Sequence, residues 1–215
     1  LRAAGYQPGQ VDEIYITHGG PDHIGGLTIG SEKAFPNALV RAPNNEFDIF
    51  LNPTKTAEVI AQANNNEKVK EWIKSTYDLF KPYIQVEKYQ SFDDDIELTP
   101  GIRALATPGH TPGHTSYVVE SKGQSLIVLG DLIHMAAMQF SQPSLTIMFD
   151  TDAQQSTTAQ RERILLLASE KNYWLAGSHL SFPGIGHVRP AEEGYQWIPI
   201  NYMIPKEAAD KPIAN

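Results

Sequence analysis

The sequence predicts one domain of mixed α/β or α+β class, and three observations carry that expectation. Short apolar runs with period-two alternation end in Gly- and Pro-rich loops; longer stretches with helical spacing lie between them; and no internal repeat orders the two kinds of segment. With 215 residues, 41% of them hydrophobic, the chain has the size and the apolar content for a buried core, and residues 1–215 read as a single unit.

The elements follow in order. Leu1 to Gly5 (LRAAG) reads as the last turn of a helix closed by a glycine, with Pro8 just beyond it. A chain seldom opens on a helix end, so further residues are expected ahead of Leu1. Ile14 and Ile16 alternate with polar neighbours and form a short strand that delivers His18 at its end. Ala38 to Ala42 make a second strand, stopped by Pro43. From Pro53 to Tyr83 the spacing of Val59, Ile60, Val69, Trp72, Ile73, Tyr77 and Phe80 suits one or two amphipathic helices, interrupted near Asn64-Asn65-Asn66. Ile102 to Ala106, Ser116 to Val119 and Leu126 to Leu129 are three strand-like runs separated by Pro-Gly and Lys-Gly turns. A helix from about Asp152 to Lys171, with Ile164, Leu167 and Ala168 on one face, feeds the apolar run Tyr173 to Ala176.

Composition removes several function classes. Seventeen basic against 25 acidic residues give a net charge of −8, which repels a phosphate backbone and offers nothing to anionic lipid. Neither nucleic acid nor a membrane is expected as a partner. The absence of cysteine excludes disulfide scaffolding, Cys-ligated zinc, iron–sulfur clusters and thiol catalysis, and leaves the redox compartment open. No run approaches the roughly 20 apolar residues of a membrane span, and no signal-peptide pattern opens the sequence. The chain reads as soluble, with cytoplasm and periplasm equally compatible.

The chemistry gathers at strand ends. His18, Asp22 and His23 lie in Thr17-His-Gly-Gly-Pro-Asp-His-Ile-Gly-Gly26, His110 and His114 in Thr107-Pro-Gly-His-Thr-Pro-Gly-His114, Asp131 in Leu129-Gly-Asp-Leu132, and His179 in Gly177-Ser-His-Leu180. Each sits where an apolar strand gives way to a loop, which is where a rigid scaffold can aim side chains into one pocket. Imidazole with carboxylate suits zinc, iron or manganese, and a carboxylate can bridge two cations. Any one of these histidines alone is more often a hydrogen-bonded loop or core residue; four such segments in one chain make coincidence the weaker account.

That order of motifs resembles the metallo-β-lactamase superfamily, whose fold is a four-layered αββα sandwich with a dinuclear metal site between its sheets. Gly130-Asp-Leu-Ile-His-Met-Ala-Ala-Met-Gln-Phe140, Thr146-Ile-Met-Phe-Asp150 and Ser178-His-Leu-Ser-Phe-Pro-Gly-Ile-Gly-His-Val188 resemble more narrowly its methyl parathion hydrolase-like branch. Family members place several strands and a helix ahead of the segment similar to Leu1–Gly9, so the resemblance implies a first sheet that is incomplete here. It implies a first metal position formed by His18, residue 20 and His110, a second formed by Asp22, His23 and His179, and Asp131 bridging both, with Asp22 and Asp131 as the catalytic carboxylates. Zinc is the expected cation, as one or two ions, with iron, manganese or cobalt as alternatives. Position 20 departs from the pattern, because the family has histidine there and this chain has Gly20. A glycine has no side chain to ligate with, so the first position is expected to be impaired.

Other residues invite bland readings. His114 is expected to support the Pro-Gly loop and His187 to sit in a surface or rim turn, while His134 is evenly placed between the pocket and a buried hydrogen bond. Gly25 and Gly26 are expected to allow close packing where a helix starts, and Trp72, Phe80, Phe140 and Phe182 to belong to the core, the last two also being candidates for a cleft wall. The implied chemistry is metal-assisted hydrolysis of esters, lactones or organophosphate triesters, in which a water deprotonated on the cation attacks carbon or phosphorus. The alternative is a non-catalytic domain that keeps the scaffold as an interaction or assembly unit. An unpaired edge on the incomplete sheet, near Ile14 and Ile16, leads us to expect a homodimer.

Overall fold

Alternation along the strands sorts the interior into layers. The computed structural model describes residues 1–93, 95–151 and 157–201. Its strands are β1 (Glu13–Tyr15), β2 (Thr28–Ile29), β3 (Glu32–Lys33), β4 (Leu39–Pro43), β5 (Tyr89–Phe92), β6 (Glu97–Thr99), β7 (Ile102–Ala106), β8 (Thr115–Ser121), β9 (Gln124–Val128), β10 (Trp174–Ala176), β11 (Ile185–Pro190) and β12 (Tyr195–Pro199). The helices are α1 (Pro21–Ile24), α2 (Asn44–Leu51), α3 (Pro53–Gln62), α4 (Glu67–Ile84), α5 (Ala136–Gln139) and α6 (Thr158–Lys171).

Strands β1, β4 and β5 make a parallel three-stranded sheet. A seven-stranded sheet runs β12-β11-β10-β9-β8-β7-β6, antiparallel except where β9 meets β10 across the α6 connection. In β8, Val118 points toward Ile164, Leu165 and Ala168 of α6, while its neighbour Tyr117 points the other way, into a cluster with Phe92 and Ala104 between the sheets. In β4, Val40 and Ala42 pack against Phe47 and Phe50 of α2 and Ile73 and Phe80 of α4. Two helical layers thus enclose two sheets, giving the four-layered αββα order. Arg41 Nη1–H donates across the seam to the Leu98 carbonyl (2.8 Å), and the Tyr117 hydroxyl donates to the carbonyl of Ile16.

The predicted strands in the middle of the chain and the run at 173–176 all have counterparts, and the helical stretch divides into α3 and α4. Asn64 and Asn65 take left-handed φ values of 51° and 54° between them, and the Asn66 side chain caps α4 by accepting from Lys68 N–H. Some expectations need correction. Pro43 does not stop β4 but occupies its last position opposite Phe92, where a missing N–H costs no ladder bond within the strand. Residues 152–156, the expected start of the last helix, lie outside the described residues, and α6 is seen from Thr158. His187 lies in β11 and not in a turn; its ring is 3.7 Å from that of Trp174. A Cβ added to Gly25 or Gly26 would meet nothing within 4 Å, so neither serves close packing. Among the described residues no helix is long and apolar enough to cross a membrane.

Candidate metal centre

Backbone turns at the sheet edges aim the polar side chains. After β1, Gly20 caps a single helical turn in which Pro21 occupies the first position, and His23 N–H and Ile24 N–H both return to the Gly20 carbonyl, which fixes where Asp22 and His23 point. The loop after β7 folds back through Gly109 N–H to the Thr111 carbonyl. Gly109 has φ +138°, and a Cβ there would lie 2.3 Å from the backbone nitrogen of Thr157, so only glycine fits. After β9, Gly130 turns with φ +57° and presents Asp131, and the turn after β10 presents His179.

The result is a ring of imidazoles around one carboxylate. Going round, ring centroids are 5.0 Å apart from His18 to His110, 5.0 Å from His110 to His134, 4.7 Å from His134 to His179, 5.6 Å from His179 to His23 and 4.2 Å from His23 back to His18. The Nε2 atoms of His18, His110, His134 and His179 stand 3.5, 3.4, 3.1 and 3.2 Å from Asp131 Oδ2, and that of His23 stands 3.1 Å from Oδ1. Asp22 flanks the ring, its Oδ2 being 3.4 Å from His23 Nε2 and 3.7 Å from His179 Nε2, with 63% of its side chain exposed.

Three buried groups hold this arrangement. His114 is fully buried; its Nε2 accepts the backbone N–H of Asp131 (3.0 Å) while Nδ1 faces the Thr107 hydroxyl at 2.8 Å. Burial, with His110 beside it, pulls its pKa down to about 3, so it works as a neutral acceptor. Burial next to other imidazoles likewise pulls His18 down to about 2. His110 Nδ1 lies 3.0 Å from Asp150 Oδ1, whose other oxygen accepts the Ile147 N–H. Burial raises Asp150, but the His110 bond, the Ile147 N–H and the nearby His110 and Arg161 together outweigh it, and the carboxyl is lowered on balance. Glu46 of α2, 4% exposed, accepts Gly19 N–H on Oε1 (2.8 Å) and Gly113 N–H on Oε2 (3.0 Å), tying the His18 loop to the His110 loop, and burial pushes its pKa up.

These residues suit a cation. Asp131 Oδ2 hydrogen-bonds His134 and His179, which uses its two lone pairs, and leaves His18 and His110 facing it at 3.5 and 3.4 Å without a hydrogen bond. His110 is held through Nδ1, 3.0 Å from Asp150 Oδ1, and its Nε2 faces Asp131 Oδ2 at 3.4 Å, which leaves that nitrogen turned toward the place an ion would take. His23 Nε2 and Asp131 Oδ1 are buried, and among the described residues neither has a hydrogen-bond partner of acceptable geometry despite their 3.1 Å approach. Three sets have ligand atoms mutually within 4.8 Å: His18, His23 and Asp131; Asp22, His23 and His179; and His110, Asp131 and His134.

All six sequence-derived candidates, His18, Asp22, His23, His110, Asp131 and His179, therefore meet at one place. A Cβ on Gly20 would lie 2.7 Å from His18 Nε2, 3.0 Å from His23 Cδ2 and 3.2 Å from Asp22 Oδ1, so position 20 faces the ring although it contributes no atom to it. Sequence reasoning misses Glu46 and the support role of Asp150, and leaves His134 open. Phe80 and Phe140 are core as expected, but Trp72, 38% exposed, lines the cavity beside the ring together with Phe149, and Phe182 is 77% exposed. That cavity holds about 690 Å³ and is also walled by Pro21 and Thr111.

The chain is similar in sequence and in fold to known proteins. The family model described as metallo-beta-lactamase superfamily matches residues 1–179. An N-acyl homoserine lactonase of Bacillus thuringiensis is 28% identical over 129 residues, which is 60% of this chain and 41% of that protein. A crystal structure of a hydrolase in the beta-lactamase superfamily, AbOPH, superposes with a TM-score of 0.83 at 35% identity, covering 95% of this chain and 69% of the other. AidC, a dizinc quorum-quenching lactonase in complex with a product, superposes with a TM-score of 0.80 at 30% identity over 95% of this chain and 69% of its own.

Proposed function

The chain belongs to the metallo-β-lactamase superfamily, and we propose that it is a metal-dependent hydrolase acting on lactones, with the esters and organophosphate triesters of a methyl parathion hydrolase-like enzyme as its wider substrate class. The observation that carries this is the ring of Nε2 atoms around Asp131, with the His110 ring held from behind by Asp150. The relatives named as lactonases support the choice of substrate, as does the aromatic wall of Trp72 and Phe149, which suits an acyl chain.

The residues that would hold zinc are Asp22, His23 and His179 at one position, His18 and His110 at the other, and Asp131 between them. Bound there, the cation supplies Lewis acidity and lowers the pKa of a water. This chain's residues supply the rest. Trp72 and Phe149 would receive the acyl chain along the cavity wall, and Asp22, open to solvent, would take the proton of the attacking water on Oδ1, the oxygen not turned toward His23 and His179. Water oxygen bonds to the carbonyl carbon, the ring C–O bond breaks, and the proton returns to the departing alkoxide to give a hydroxy acid. Because Gly20 offers no side chain, the His18/His110 position lacks a donor from the loop after β1 and binds its ion more weakly than its neighbour. The outer edge of β1 has no strand beside it among the described residues, and we read that edge as the contact of a homodimer, which light scattering measures directly.

The deciding experiment is pH-stat hydrolysis of an N-acyl homoserine lactone by protein stripped with a chelator and then reloaded with zinc. Activity is expected to vanish on stripping and return on reloading, and Gly20→His is expected to raise metal occupancy and rate. Fully loaded protein that opens no lactone and cleaves no aryl ester or phosphotriester would favour the non-catalytic assembly unit instead.

A further inference from the structure

We infer that His134 is a metal ligand: with His110 and Asp131 it holds the first cation, supplying from the far side of the ring an imidazole that position 20 does not provide. The inference rests on the reading of this centre as a metal site.

The ligand atoms of His110, Asp131 and His134 lie mutually within 4.8 Å, and His134 Nε2 is 3.1 Å from the same Asp131 oxygen that His110 approaches at 3.4 Å. A zinc ion takes nitrogen and oxygen donors at about 2.0–2.2 Å in a tetrahedral array, so its donors stand a little over 3 Å apart, and these three need only small side-chain adjustments to reach that spacing. As the residues stand, Oδ2 hydrogen-bonds the Nε2 atoms of His134 and His179 at 3.1 and 3.2 Å, while the Nε2 of His110 faces the same oxygen without such a bond, so an ion drawn to His110 and Asp131 meets His134 at the same place. Gly20 offers no donor of its own, and a side chain there would need the His18 ring to give way, because a Cβ would lie 2.7 Å from His18 Nε2.

His134 is also held in place. Its backbone N–H and that of Met135 both donate to Gln139 Oε1 (2.7 and 2.9 Å), and Gln139, 1% exposed, returns Nε2–H to the Leu145 carbonyl (3.1 Å). The preceding Leu132 and Ile133 are fully buried, which anchors the turn in the core. One difference sets its strength. His110 has Asp150 behind its second nitrogen, whereas His134 Nδ1 is buried without a hydrogen-bond partner among the described residues. A ligating imidazole lacking that support is the less basic donor, so the His110–Asp131–His134 position is the weaker of the two.

The test is cobalt(II) titration of the metal-stripped full chain, followed by visible absorption, for wild type, His134→Ala and His134→Gln. Wild type is expected to take up two ions in a tight and a weak step. Both variants are expected to weaken the weak step by roughly tenfold or more, with the tight step within about twofold, since losing a direct ligand exceeds the 10- to 100-fold range of supporting residues at its lower end. Glutamine can still donate to Asp131, so recovery in His134→Gln would reduce His134 to a hydrogen-bond partner and overturn the inference, as would a weak step unchanged in both variants or a single ion bound regardless of residue 134. A wild-type chain that binds no cobalt would instead remove the metal-centre reading itself. Circular dichroism of each stripped variant separates loss of ligation from loss of fold.

Discussion

Replacing Glu46 by alanine tests how two distant loops are kept in one place. The carboxylate is 4% exposed and accepts two backbone N–H groups, from Gly19 and Gly113, at 2.8 and 3.0 Å. Removing it leaves two buried donors without their acceptor, at about 1–3 kcal/mol each, so Glu46→Ala should destabilise the metal-free protein by roughly 2–6 kcal/mol. Glu46→Gln keeps the shape and one acceptor oxygen but turns an NH₂ toward the other N–H, and should cost about half as much. The assay is urea denaturation at neutral pH with the chelated protein, where the midpoint shifts and the slope stays constant. Zinc affinity should fall with stability, because Gly19 adjoins His18 and Gly113 adjoins His114. A loss under about 0.5 kcal/mol in the alanine variant, or a glutamine variant worse than alanine, would refute this account of Glu46 as the tie between the loops.

Gly113→Ala should be at least as damaging, since a Cβ there would lie 2.1 Å from the Glu46 backbone nitrogen, and soluble expression with a thermal melt reads the outcome; near-wild-type melting would show that the two segments separate freely. Stability of the metal-free protein should fall with pH below 6.5, because His114 and His18, lowered by burial to about 3 and about 2, stay neutral in the fold while the unfolded chain binds their protons. Between pH 6.5 and 5.5 the loss should be on the order of 1–2 kcal/mol; His23, where Asp131 and Asp22 outweigh burial and raise the pKa, acts with opposite sign but above 6.5, so a flat urea midpoint across that interval contradicts the assignment. Trp72→Ala should raise KM for a long-chain acyl lactone by roughly 5- to 30-fold, the equivalent of about 1–2 kcal/mol of lost apolar contact, while leaving kcat and the KM for a butyryl lactone nearly unchanged.

The parts of this site that can be read in the sequence are those whose side chains do the converging. His18, Asp22, His23, His110, Asp131 and His179 announce themselves because an apolar strand stops and a Gly- or Pro-rich turn follows. Glu46 gives no such sign. Its partners are backbone N–H groups 27 and 67 residues away, and any residue type carries those. Helix α2 goes unread for a related reason, since Pro43 looks like the end of a strand and the asparagines after it look like a loop, although Phe47 and Phe50 already have helical spacing. In β11, Gly186 and Pro190 break the strand pattern, which is why His187 reads as a turn. Trp72 reads as core by its size, and the fold places it one step off the buried stripe of Ile73, Thr76, Phe80 and Tyr83, with its ring edge-on to Phe50 at 4.8 Å.

The seam between the sheets has a smaller buried cluster than either helical layer, Phe92, Ala104 and Tyr117 with Tyr15, Leu98 and Val128 packed against them. His18, Asp22 and His23 hang from the three-stranded side of that seam, and His110, Asp131 and His179 from the seven-stranded side. An ion that engages donors from both sides is therefore a rivet between two half-molecules. At a free concentration a hundredfold above its Kd it adds about 2.7 kcal/mol to the cohesion of the pair, a sizeable share of what holds a domain of this size together. Metal starvation would then be felt first as mechanical loosening along this seam, with the two sheets sliding or parting while each keeps its own helical layer.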